Sequence, residues 1–342
     1  MRDYYMSRMI RRRIQVTGGS TFIVSLPKEW VKNVGLTPGS EVLIDILPDY
    51  SLRITPSHRK SRREVRVKEI EVGQDNIDSA IIEILSAYLA GYNIIKIRYR
   101  DISINALTRI IDKVRSKAIG LEILDEKSNE LTLYSIVDTS LLTITEALEK
   151  MANTTRSMLE DVERILTRYD EKILISIVER DEVVDKLFLL ITRQLNQLLL
   201  GELSPSNLGL VALPEALYMI ISVKSIERIA DHAVLISEII LKNNGRTLLP
   251  DQIVELFSKT KELYINAIKG LKSLNKKYAN NVVTLFKELE KLEEKTRHNL
   301  INPLGFPEAN LILDSIRRIK AYSLDIAESI INMITIREYI RT

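Results

Sequence analysis

Apolar and polar positions fall into three regimes along the chain. Residues 10–56 alternate over short stretches: Ile14-Gln15-Val16, then a β-branched run TFIVSL ending at Pro27, then EVLIDIL and YSLRIT. Period-two alternation broken by Gly18-Gly19, Gly35, Pro38-Gly39 and Pro48-Asp49 predicts strand, strand, a short helix over 28–33, strand, strand. Such a segment is too small to close a good core alone, and dimerisation is the natural remedy.

Residues 63–137 switch between the two periods. A strand over 63–72, with Val65, Val67 and Ile70 on one side, precedes the helical spacing DSAIIEILSAYLA, which Gly91 ends. A strand over 93–98, a helix capped by Ser103 and running to Lys117, and a hairpin of 121–125 with 131–135 complete the order β-α-β-α-β-β, a small α/β layer. No phosphate-cradling glycine loop and no nucleophile–base spacing occurs there, so its expected role is a structural spacer or a dimer contact, with a small-ligand sensor as the alternative.

From 141 onward the spacing is helical, interrupted at 201–207, 243–250 and 302–307. It predicts helices over 141–169, 171–200 and 206–242, then 250–277, 280–302 and 307–341. The sequence SIERIADHAVLISEII over 225–240 returns without a gap at 315–330 as SIRRIKAYSLDIAESI, identical at seven of sixteen positions. Placing Tyr169 on Tyr278 extends the duplication to the preceding helix, setting Asp181 on Glu290 and Asp185 on Glu294. The expected architecture is multidomain α+β: an N-terminal module over 1–58, an α/β domain over 59–138, and three-helix bundles over 139–246 and 247–342.

Charge sharpens the first regime. The chain's formal net charge is +3, yet residues 1–70 hold fourteen Lys/Arg against seven Asp/Glu. A basic module on a mildly acidic body points to a polyanion partner, with a solvated basic tail as the plain alternative. Composition, 45% apolar and 28% charged, fits a folded soluble protein. No apolar run approaches membrane-spanning length, and no signal-peptide core is visible, so a cytoplasmic protein without membrane insertion is expected. The absence of cysteine removes disulfides, thiolate nucleophiles and zinc–thiolate sites.

Candidate chemistry lies in spaced acids. Glu227 and Asp231 are i, i+4 on one helix, as are Asp181 and Asp185 on the preceding one. If the helices are antiparallel neighbours, four carboxylates converge into an oxygen-rich cluster suited to Mg²⁺, Mn²⁺, Ca²⁺ or iron. Acid pairs at this spacing are also common on solvated faces, so spacing alone leaves both readings open. His232, one residue off the Asp231 face, reads as a partly buried, satisfied histidine.

Two resemblances add to this. The run S-L-P-K-E-W, then G-L, then P-G-S-E-V resembles AbrB/MazE/SpoVT-type DNA-binding domains over about 10–56. It implies interlocked swapped hairpins in a β-barrel-like homodimer, with basic side chains on duplex DNA: by position Arg11, Arg12, Arg13 and Lys28, followed by a second cluster of Arg59, Lys60, Arg62 and Arg63. The stretches IERIADHAVLISE and RDEVVDKL resemble the acid-bearing helices of PhoU-type phosphate-uptake regulators, which have two three-helix units.

That second resemblance implies metal ions (Fe, Zn, Mg or Mn) held by Asp181, Asp185, Glu227 and Asp231, with Glu290 and Glu294 in the second unit. Arg317 and Ala321 depart from the motif there, so the second cluster is expected to be weak or absent. Together the resemblances imply the long archaeal-type PhoU-family form and control of phosphate uptake. A DNA-binding regulator sensing metal, phosphate status or a partner is the leading expectation. The alternatives are an adaptor docking on a phosphate transporter ATPase or sensor kinase without DNA binding, and a metal-dependent phosphohydrolase, for which no catalytic residue beyond the acids is visible.

Overall fold

The computed structural model describes residues 10–46, 50–57, 65–136, 143–243, 250–300 and 307–341, the side chains of 299, 300, 307 and 308 excepted. The chain divides into two compact units, Met1–Glu64 and Val65–Thr342.

The first unit holds β1 (Gln15–Thr17), β2 (Thr21–Ile23), α1 (Lys28–Asn33), β3 (Val42–Ile46) and β4 (Leu52–Pro56). β1 pairs antiparallel with β2 and β3 with β4, as two separate two-stranded sheets. The β1–β2 turn needs left-handed backbone at Gly18 and Gly19, φ 63° and 86°, which glycine adopts without a Cβ clash. The barrel-like closure expected from the sequence is therefore not formed within one chain: no closed barrel occurs among the described residues. None of those residues is buried in this unit, and Phe22 and Ile46 are 74% and 76% exposed.

The second unit opens with β5 (Val67–Val72), α2 (Ile77–Leu89), β6 (Ile94–Tyr99), α3 (Ile104–Lys117), β7 (Leu121–Lys127) and β8 (Glu130–Ser135). The sheet order is β5-β6-β8-β7, with only β5 and β6 parallel. Ser103 caps α3 by accepting from the Ala106 amide. The buried side of β5 carries Ile70 and Val72, whereas Val65 and Val67 are exposed, so the inward face differs from the one read off the alternation. Pleat geometry gives the reason: 70 and 72 share a face, and 65 and 67 lie on the other.

Then follow α4 (Ile144–Thr167), α5 (Glu171–Leu199), a 3₁₀ turn (Pro205–Leu208), α6 (Glu215–Lys242), α7 (Asp251–Ser273), α8 (Lys276–Leu300) and α9 (Pro307–Arg341). α6 starts later than the spacing predicts, because the 3₁₀ turn closes on Gly209 at φ 71° and a loop runs to Pro214. The α7–α8 break lies at Leu274, left-handed at φ 44°, a few residues before the expected 278–279. The remaining ends agree within a few residues. α4 begins with a reciprocal Thr143–Glu146 capping box, and Asp170 caps α5.

The two three-helix bundles share one continuous core running from Ile144 to Met333. α6 packs along α9, and α4 packs on α7. The duplicated helices therefore meet each other, and their shared residues behave alike: Ser225/Ser315, Ile226/Ile316, Ile229/Ile319, Ile236/Ile326 and Ile240/Ile330 are buried in both copies, while Arg228/Arg318 and Glu238/Glu328 are exposed in both. At Gly270 a Cβ would come within 3.0 Å of Ile330 and 3.1 Å of Tyr278, so glycine there lets α7 lie close to α9 and the start of α8. Among the bonds that tie the bundles, Tyr264 donates to the Ala152 carbonyl at 2.9 Å, Arg337 on α9 grips fully buried Glu215 on α6 at 2.7 Å, and Lys261 and Lys272 of α7 pair with Glu163 and Glu149 of α4.

The α/β layer has its own core, and α2 and α3 lie on α5. Buried Arg193 donates to the Tyr88 and Tyr92 carbonyls and Asn196 to that of Leu89, so α5 caps the C-terminal end of α2. The divisions drawn at 138/139 and 246/247 lie outside the described residues.

Candidate functional site

α5 turns its apolar stripe of Leu174, Ile177, Val184, Leu187 and Ile191 into the core, leaving Asp181 and Asp185 one turn apart beside it. On α6 the buried set Ile226, Ile229, Ala230, Ala233 and Ile236 leaves Asp231 at the solvent edge next to them. Because α5 and α6 are packed neighbours, the acids converge: one carboxylate oxygen each of Asp181, Asp185 and Asp231 lie within 4.8 Å of one another.

Glu227 is buried a turn away, and its carboxylate is already held by Lys224, whose Nζ stands 2.6 Å from it. Asp185 receives Lys117, the last residue of α3, at 3.1 Å. Asp181 Oδ1 is buried with no hydrogen-bond partner.

The electrostatics follow from this crowding. Burial, then the charges of Asp185, Asp231 and Glu227, push the Asp181 carboxyl up to about 7, against a smaller opposing pull from Lys117. Burial also raises Glu227, which the hydrogen bond from Lys224 opposes, and it raises Asp231 together with the Asp185 charge. A site that resists holding all its negative charge in low dielectric, and has an unsatisfied carboxylate oxygen, fits a cation. Its donors are hard oxygens, which suit Mg²⁺ or Mn²⁺.

His232 does not join the cluster. Its ring faces α9, 5.9 Å from the Tyr322 ring. Burial and then the Arg318 charge lower its pKa, and its buried Nδ1 lacks the hydrogen-bond partner expected for a satisfied histidine.

In the second bundle Glu290 and Glu294 are exposed on α8 and belong to no ligand group among the described residues; Arg317 is exposed as well. The buried acid of α8 is Glu293. It accepts from Lys320 of α9 at 2.8 Å and from Arg297 at 3.4 Å, and Arg297 also reaches Asp314 at 3.1 Å. The Lys320 ammonium lies 4.8 Å from the Phe286 ring centre. Sequence reasoning missed three features that matter here. Lys224 was legible at i−3 from Glu227, whereas Lys117 and the Glu293–Lys320 pair are long-range meetings with no local signal.

In the N-terminal unit Arg11, Arg12, Arg13 and Lys28 are all exposed, the arginines immediately before β1 and Lys28 at the start of α1. Arg59, Lys60, Arg62 and Arg63 lie outside the described residues.

Comparison with known families separates the chain's two halves. Residues 148–240 match the PhoU domain. They run from α4 to α6, so the match contains all four clustered acids and ends before the second bundle. Residues 15–62 match the family described as antidote–toxin recognition MazE, bacterial antitoxin. Among solved structures, PhoU from Pseudomonas aeruginosa is similar at 18% identity and TM-score 0.51, covering 56% of this chain and 95% of that one. The phosphate transport system regulatory protein PhoU from Streptococcus pneumoniae is similar at 14% identity and TM-score 0.48 over the same shares. The first of these shows a PhoU-like helical fold. A comparison with curated proteins finds no matching relative. No helix among the described residues is long and apolar enough to cross a membrane.

Proposed function

We propose that the chain is a regulator of phosphate uptake that binds duplex DNA through its N-terminal module as a homodimer, with the PhoU-like body sensing metal, phosphate status or a partner protein. The observation that carries this reading is the state of the first unit: no described residue is buried, apolar Phe22, Ile44 and Ile46 stand in solvent, and three arginines lead into β1. A module with no interior of its own is completed by a second chain, and pairing two copies doubles the basic run. Arginines leading into a strand would neutralise phosphates and carry little sequence information.

In the body, Asp181, Asp185 and Asp231, with Glu227 of the same cluster, would hold a divalent or iron-type ion. The bound ion supplies a charge that lets all the carboxylates ionise together and ties α5 to α6.

Gel-shift titration of the full chain across a salt series tests the DNA assignment. Replacing Arg11, Arg12 and Arg13 together by Ala is expected to flatten the slope of log affinity against log salt by roughly 5.4, about 0.9 for each of the six phosphates that the homodimer no longer neutralises. An unchanged slope and affinity would overturn it. It would favour an adaptor docking on a transporter ATPase or sensor kinase, for which the exposed leucines Leu199, Leu213 and Leu217 around the α5–α6 groove offer apolar surface.

A further inference from the structure

Two lysines already occupy the carboxylate cluster, and they are not equivalent. Lys224 stands on α6 itself, three residues before Glu227, with its ammonium 4.7 Å from the centre of the Phe188 ring on α5. It moves with the bundle. Lys117 comes from the α/β layer, as the final residue of α3, and its bond to Asp185 at 3.1 Å crosses from that layer to α5.

We propose that Lys117 is the exchangeable cation of this site: an ion taken up by Asp181, Asp185 and Asp231 displaces Lys117 from Asp185 and so loosens α3 from α5. The inference rests on the metal reading above.

Three observations support it. Lys117 is a monovalent, partly exposed ammonium, with 35% of its side chain open to solvent, and a divalent ion among three carboxylates outcompetes it electrostatically. The displaced ammonium has a second place to go, since the C-terminal carbonyls of its own helix attract a cation. Arg193 and Asn196 bind the end of α2, so α2 stays attached to α5 when Lys117 leaves. Occupancy of the site would thereby be read by a different structural layer. Coupling of this kind is reciprocal, and holding α3 down would weaken ion binding.

The test uses the full-length protein and manganese(II) chloride. Calorimetric titration is expected to give about tenfold tighter Mn²⁺ binding for Lys117→Met, and binding near the wild-type value for Lys117→Arg, which keeps the charge. Hydrogen exchange is expected to speed up at amides of the last turn of α3 when Mn²⁺ is added to the wild type, with no such response in Lys117→Met. Equal or weaker binding by Lys117→Met, or α3 amides indifferent to Mn²⁺ in the wild type, overturns the proposal. Mn²⁺ uptake that Asp181→Ala/Asp231→Ala abolishes while Lys117→Met leaves it unchanged refutes the role of Lys117 alone. Absence of saturable uptake in the wild type removes the metal reading and this inference together.

Discussion

The two bundles solve one electrostatic problem in opposite ways. Both are built on the same helix pattern and share a core, and of the residues identical in their third helices the same five are buried. In the first, acids from α5 and α6 gather with too few fixed cations, leaving Asp181 Oδ1 unpaired and its carboxyl raised to about 7. In the second, Lys320 is built into the interior and neutralises Glu293 permanently. In the proposed reading the acids of the first bundle would take their counter-charge from solution, whereas Glu293 receives its own from the chain.

The largest expected effect tests the fixed pair. Glu293→Gln leaves Lys320 buried beside a neutral amide and should cost about 3 kcal/mol, whereas Glu293→Leu/Lys320→Leu should recover most of that. Urea unfolding of both variants checks it. A loss under about 0.5 kcal/mol for the single change would mean that the second bundle does not depend on its internal cation.

Ion binding sharpens the contrast. Saturating Mn²⁺, at about a hundred times its dissociation constant, should stabilise the wild type by about 2.7 kcal/mol. Thermal unfolding with and without Mn²⁺ should show this gain vanish in Asp181→Ala/Asp231→Ala and persist in Glu290→Ala/Glu294→Ala. Loss of the gain in the second variant would place a ligand set on α8.

A smaller effect follows from protonation. Asp181 has a folded-state pKa raised above its unfolded value of 3.8 to about 7, so the native state binds its proton more tightly than the unfolded chain does. The metal-free protein therefore loses stability as pH rises between those values. Asp181→Asn removes the charge and should be about 2 kcal/mol more stable than the wild type at pH 8, after allowance for solvent near the carboxyl, with the gap closing towards pH 4. Denaturation at the two pH values measures it; a constant gap would mean that Asp181 is not the titrating group.

Much of the fold was legible because its signals are local. Gly18-Gly19 marked the first hairpin, Ser103 the start of α3, and the apolar spacing of 225–240 and 315–330 gave the apolar frame of α6 and α9, though not buried Lys320 or exposed Leu235. Register and boundaries were less so: the inward face of β5 and the late start of α6 depend on which neighbour covers the element. In the site, the i, i+4 spacing placed Asp181 with Asp185 on one face, but the same spacing at Glu290 and Glu294 yields a solvated face, because their helix turns Glu293 inward. Spacing fixes which residues share a face. The packing of the neighbouring helix decides whether that face is covered.

By itself, then, the amino-acid sequence determined the elements, their duplication and the basic start of the chain, since periodicity, caps and charge are properties of consecutive residues. Tertiary structure alone decided that Lys117 reaches Asp185, that Lys320 neutralises Glu293, and that α6 and α9 share an interface. Those meetings join residues tens of positions apart, where only the three-dimensional path of the chain sets the distance between charges and the solvent around them.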